Sequence, residues 1–131
     1  MPRQTKTKRA MKTLITFFEI PAADFNRAVN FYEQVLEMKL TRCECGDEKM
    51  AFFPDPEEGP RGAVSLAGGF NPAPGGVLVH FPCNDITASL DRVVTHGGSV
   101  VIPRTKIEVE GEGWFAVFSD SEGNRVGLHG K

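Results

Sequence analysis

The chain has 131 residues, of which 40% are hydrophobic and 24% charged, the size and balance of one folded domain rather than a disordered or fibrous chain. No stretch of eighteen apolar residues and no apolar signal-peptide core occurs, and the three cysteines (Cys43, Cys45, Cys83) contain no C-x-x-C pair; a membrane partner, export and a disulfide framework are therefore not expected, and the cytoplasm is the expected compartment. The net charge of −2 joins a basic start, Arg3, Lys6, Lys8, Arg9 and Lys12 without an acid, to a body with 10 bases against 17 acids, and five charges without an aromatic residue make no nucleic-acid site.

Residues 1–11 read as a basic, disordered tail and 12–131 as a single domain. The apolar run from Leu14 to Ile20 (LITFFEI) is rich in β-branched and aromatic residues and is stopped by Pro21, which predicts a strand. From Asp24, a candidate cap, Phe25, Ala28, Val29, Tyr32, Val35 and Leu36 recur on one helical face. Three short strands are expected around Leu40 to Glu44, Met50 to Phe53 and Ala63 to Ala67, with Cys43 and Cys45 on one face of the first. After the Gly- and Pro-rich segment 68–76 the order restarts. Val77 to Phe81 predicts a strand ended by Pro82, and Ile86, Leu90, Val93 and Val94 form a helical face behind Asp85, ended by Gly97 and Gly98. Strands over Val100 to Ile102, Trp114 to Phe118 and Arg125 to His129 complete the set.

The order β-α-β-β-β thus occurs twice, and the repeat reaches individual residues. Pro21 and Asp24 recur 61 positions later as Pro82 and Asp85, while Gly59 and Arg61 recur 64 positions later as Gly123 and Arg125. The extra three residues are expected in a longer loop within 105–113. Two copies at so long a period indicate a duplicated module, each half burying one face of a four-stranded sheet.

FFEIPAADFNRAVNFYEQVLEMKL (17–40), VLVHFPCNDITASLDRVVTHGGSVVIP (77–103) and FAVFSDSEGNRVGLHG (115–130) resemble the vicinal oxygen chelate superfamily of glyoxalases, bleomycin-resistance proteins and extradiol dioxygenases. The resemblance covers about 11–131 and implies an α+β fold in which two βαβββ modules, 12–68 and 76–131, curl mixed sheets into a cup that takes a small molecule. It also implies a homodimer. In metal-dependent members the ligands stand on the first and fourth strand of each module, and the corresponding positions here are Phe17, Ala63, Leu78 and Gly127, none of which has a metal-binding side chain.

Two residues along each strand, on the same face by alternation, stand Glu19, Ser65, His80 and His129, equivalent in pairs under the repeat. Glu19, His80 and His129 would give a divalent Fe, Mn, Ni or Zn ion one carboxylate and two imidazoles, leaving positions for two adjacent substrate oxygens. Ser65 would then donate to a bound oxygen. A lyase or dioxygenase reaction would follow. Without a metal, Glu19 reads as a general base and His129 as an acid, or the cup only binds a hydrophobic or cationic compound. Phe17, Ser65, Leu78, His80 and Trp114 are the expected pocket residues. The structural alternatives are a Glu19–Arg125 ion pair, pairing of Arg61 and Arg125 with Asp55 and Asp120, and His96 at a helix C-terminus.

Overall fold

In the computed structural model, which describes residues 14–57 and 59–131, the first apolar run becomes the strand β1 (Phe17–Pro21) and Asp24 caps the helix α1 (Phe25–Leu36) by accepting from the Arg27 N–H at 3.1 Å. Strands β2 (Thr41–Cys45), β3 (Glu48–Phe52) and β4 (Arg61–Leu66) follow. The second half repeats the order with β5 (His80–Cys83), α2 (Ile86–Thr95), β6 (Ser99–Lys106), β7 (Trp114–Ser119) and β8 (Arg125–Gly130). Asp85 caps α2 as Asp24 caps α1, accepting from the Ala88 N–H at 3.1 Å. Asp24→Ala and Asp85→Ala are each expected to cost about 1 kcal/mol, read as a lower urea midpoint with an unchanged slope. The expected tail, 1–11, lies outside the described residues.

Each half is a four-stranded mixed sheet, with orders β1-β4-β3-β2 and β5-β8-β7-β6. The first pair of each is parallel and the others are antiparallel. Register carries the repeat faithfully: Glu19 pairs with Ala63 as His80 pairs with Gly127, and Pro21 with Ser65 as Pro82 with His129. The turn glycines Gly59 and Gly123 both have positive φ, 102° and 95°, which only glycine adopts without strain.

Several strand boundaries differ from expectation, β1 among them, which begins at Phe17 and takes in Pro21, and those of β5 and β6 differ most. β5 begins at His80, leaving Val77 92% exposed, and continues through Pro82; β6 runs on through Pro103 with register shifts on either side of Ile102. Both are outer strands of their sheet, where one side of the backbone has no partner and proline's missing N–H is tolerated.

One hydrophobic core joins the halves. Phe31 of α1 packs on Phe118 of β7, with ring centroids 5.9 Å apart, and Tyr32 and Phe53 meet Phe81 of β5 at 6.2 and 5.2 Å. These tilted contacts suit aromatic quadrupoles and bury large side chains from both modules. The helices thereby lie beside one another on one side of the sheets, and the faces turned away from them are free to form sites.

Candidate functional site

Ile20 and Val64 point into the core, so alternation sends Phe17, Glu19, Ala63 and Ser65 to the opposite face of the first sheet. There the Ser65 hydroxyl, buried in the sheet, donates to Glu19 Oε1 at 2.8 Å. The Phe17 and Phe52 rings, 6.1 Å apart, flank the fully buried Ala63. Glu19 is thus an exposed carboxylate held in place by a buried donor.

A cavity of about 350 Å³ lies in the seam between the modules, with Phe18, Glu19, Phe70, Asn71, Asn124 and Arg125 among the residues that line it. The buried Asn124 builds this wall: its Oδ1 accepts from the Ala73 N–H at 3.1 Å, and its Nδ2 donates to the Pro21 carbonyl at 2.8 Å. The linker and the end of β1 are thereby pinned to the turn before β8. Arg125 is exposed and takes part in no ion pair among the described residues, and it is not joined to Glu19. Arg61 does pair with Asp55, at 2.9 Å, as expected, whereas Asp120 is occupied by other donors and leaves Arg125 unmatched. A pocket with a free guanidinium, an anchored carboxylate and apolar walls suits a small organic molecule with polar ends.

The other candidates are placed elsewhere. His80 lies against Gly127, where an added Cβ would come within 2.1 Å of its Nδ1. His129 stands at the far end of β8, with Nε2 2.7 Å from the Glu112 carbonyl, and is held by the connection between β6 and β7. Glu19 and Ser65 are therefore brought together; His80 and His129 are not brought to them. Among the described residues no three His, Cys, Asp or Glu side chains are grouped to hold a metal ion. The expected metal set of Glu19, His80 and His129 is not assembled, because its members lie on two sheets set side by side and His129 is drawn to a hairpin.

Of the expected pocket residues Phe17, Ser65, Leu78, His80 and Trp114, Ser65 and Phe17 share the Glu19 face of the first sheet. Leu78 and His80 border a second groove, and Trp114 carries the Arg104 guanidinium 3.7 Å from its ring centroid. His96 is the C-cap of α2, as its position suggested. Cys43 and Cys83 form no disulfide. Sequence reasoning passed over Phe70, Asn71 and Asn124 as site residues. Asn124 had a usable signal, since it sits in the repeated glycine turn where the first copy has Pro60.

The fold and the repeat are matched by the model of the glyoxalase, bleomycin resistance protein and dioxygenase superfamily over residues 14–128. The chain belongs to this superfamily. Its structure is similar to that of a glyoxalase family protein from Bacillus cereus, with a TM-score of 0.69 and 18% identity over 95% of this chain and 97% of that one. A glyoxalase/bleomycin resistance protein from Albidiferax ferrireducens gives 0.68 and 13% identity, over 88% and 96%. A glyoxalase I mutant from Zea mays gives 0.63 and 21% identity over 92% of this chain, which spans 47% of the maize chain. Such identities show the superfamily fold alone. Among curated proteins no match was found.

Proposed function

We propose that this superfamily member binds a small organic molecule in the seam cavity, with an acid group on Arg125 and a hydrogen-bond donor on Glu19. The observation that carries the reading is the unpaired Arg125 facing the same 350 Å³ cavity as the Ser65-anchored Glu19. Phe18 and Phe70 supply apolar walls for the rest of the ligand. Glu19 orients the donor, and Ser65 keeps the carboxylate from turning away.

A thermal-shift series of small organic acids tests it. A ligand at about 100 times its Kd is expected to add ~2.7 kcal/mol, a rise of several degrees in Tm. Arg125→Ala is expected to abolish the shift for every acid, and Glu19→Gln to weaken only acids that also carry a donor. Equal shifts in wild type and Arg125→Ala would overturn the reading. So would near-stoichiometric Fe, Mn, Ni or Zn in untagged protein that vanishes in Glu19→Ala/His129→Ala, since that places an ion at the carboxylate.

The outer strands β1, β2, β5 and β6 leave backbone groups for a second copy, and a homodimer is part of this proposal. Light scattering is expected to give about twice the 14.3 kDa of one chain. A monomer at micromolar concentration would remove the dimer from it.

A further inference from the structure

The two copies of the module spend equivalent positions differently. In the first, Glu19 is held by Ser65 and Arg61 is paired with Asp55. Their equivalents in the second are His80 and Arg125, and neither side chain makes a hydrogen bond or an ion pair with a described residue. These two unspent groups stand on one face of the second sheet. Val126 and Leu128 are buried in the core, so alternation turns Arg125, Gly127 and His129 to the opposite face. His80 is the strand partner of Gly127, and its imidazole lies over that glycine: a Cβ at 127 would come within 2.1 Å of Nδ1, 2.4 Å of Cε1 and 2.7 Å of Cγ. Gly127 is therefore a berth for the ring, open only because the position has no side chain. Arg125 stands two residues back along β8, about 6.7 Å from the berth at the usual strand rise. Val117, the partner of Gly127 on β7, is 4% exposed yet outside the core cluster, and gives the same face an apolar floor.

We propose that the ligand of the seam cavity is a dicarboxylic acid, held by one carboxylate on Arg125 and by the other on His80. This rests on the reading of Arg125 as the anchor of an organic acid, and it names the class of acid. Arg125 lines the seam cavity, and His80 lies next to it along the sheet, so the second carboxylate extends out of the cavity over Gly127. The guanidinium offers a planar fork to the first carboxylate, and an imidazole N–H offers the second a single hydrogen bond. Glu19 sets the direction. It lines the cavity from the first sheet, where its negative charge disfavours a carboxylate, so the diacid is turned away from β1 and toward His80. The spacer between the two acid groups crosses the apolar floor at Val117. One benzene ring substituted at opposite corners, or about four methylene groups, matches the strand interval of about 6.7 Å.

Calorimetric titration of the full chain with terephthalate and with 4-methylbenzoate, which has the same outline and one acid group, tests the proposal. Wild type is expected to bind terephthalate about tenfold more tightly, the effect of one hydrogen bond to a charged group. His80→Ala is expected to bring the two acids within about twofold by weakening terephthalate alone. Gly127→Ala is expected to do the same with the imidazole still in the chain, because the methyl group takes the space of the ring. The backbone at Gly127 has no positive φ, and the three atoms nearest an added Cβ all belong to the His80 ring, so the urea midpoint of this variant should not fall. Arg125→Ala is expected to abolish the binding of both acids. Equal affinities in wild type would overturn the proposal, and so would a preference for terephthalate that persists in His80→Ala or in Gly127→Ala. In each of these cases 4-methylbenzoate that binds wild type and not Arg125→Ala leaves the seam cavity standing as a site for organic acids. Binding of neither acid to wild type would also overturn the dicarboxylate, and would leave the seam cavity to be decided by its own series of acids.

Discussion

Asp120→Ala is expected to lower stability by about 3–5 kcal/mol, the largest loss from any single side chain of the seam. The carboxylate is almost fully buried and serves four donors. Oδ1 accepts from the N–H groups of Glu122 and Asn124 at 2.8 and 2.9 Å, and Oδ2 accepts from the Tyr32 hydroxyl at 2.6 Å and Asn124 Nδ2 at 3.0 Å. Alanine leaves two backbone donors and a buried phenol without an acceptor, and each orphaned group costs roughly 1–3 kcal/mol. Tyr32→Phe removes one donor and no acceptor, so about 1–2 kcal/mol is expected from it. In a double-mutant cycle the pair should couple by at least ~1 kcal/mol, because the phenol of Tyr32 is orphaned only while Asp120 is absent. Additive losses in urea unfolding would show that the short hydrogen bond contributes nothing of its own.

The same contact has an optical consequence. Burial, followed by the Asp120 charge and its hydrogen bond, holds the Tyr32 phenol well above its ordinary value of 10.0. Tyr32 is the one tyrosine of the chain, so phenolate absorbance reports it alone. In alkaline titration that absorbance is expected to appear only with unfolding, and at lower pH in Asp120→Ala.

The modules were legible in the sequence because their signals are local. Asp24 and Asp85 cap helices whose apolar faces recur at helical spacing, and Gly59 and Gly123 adopt the backbone that their repeated position implied. The Glu19 and Ser65 pair was also within reach, since both depend only on strand register inside one module. The arrangement of one module against the other was not. A repeat predicts equivalent positions in two sheets, and says nothing of whether Glu19, His80 and His129 converge. That is decided by side chains that break the repeat. Arg27, which clamps onto Glu122, corresponds to Ala88 in the second copy, and Asn124, which staples the linker, corresponds to Pro60 in the first. The seam is therefore built once, from one end, and its two cavities differ in chemistry although the strands that carry them are equivalent.

Glu122 supplies the electrostatic half of that seam, and its loss is expected to be visible as a change in how stability depends on pH. Its side chain is 1% exposed, and its carboxylate accepts from the N–H groups of Ala23 and Asp24 at 2.9 and 2.8 Å, from Arg27 Nε at 2.7 Å and from Ser121 Oγ at 2.9 Å. It stands at the start of α1, where the aligned backbone dipoles favour negative charge. Burial pushes its pKa up, but the Arg27 guanidinium, the two backbone N–H groups and the serine hydroxyl outweigh burial and hold it at about 2, below the usual 4.5. A carboxylate depressed in the folded state contributes its full stabilisation above pH 4.5 and loses it as pH falls toward 2. Because the Arg27 side chain is 54% exposed and its charge is screened by solvent, that contribution is set at about 2 kcal/mol rather than the larger figure the full shift implies. Glu122→Gln is therefore expected to be less stable by about 2 kcal/mol at pH 7, and the gap should close as both proteins are titrated from pH 4.5 to 2. Salt should narrow the gap only in part, since it screens the exposed guanidinium and leaves the buried N–H contacts intact. Urea midpoints that fall in parallel for the two proteins would show that the charge of Glu122 is idle and that the clamp works through shape alone.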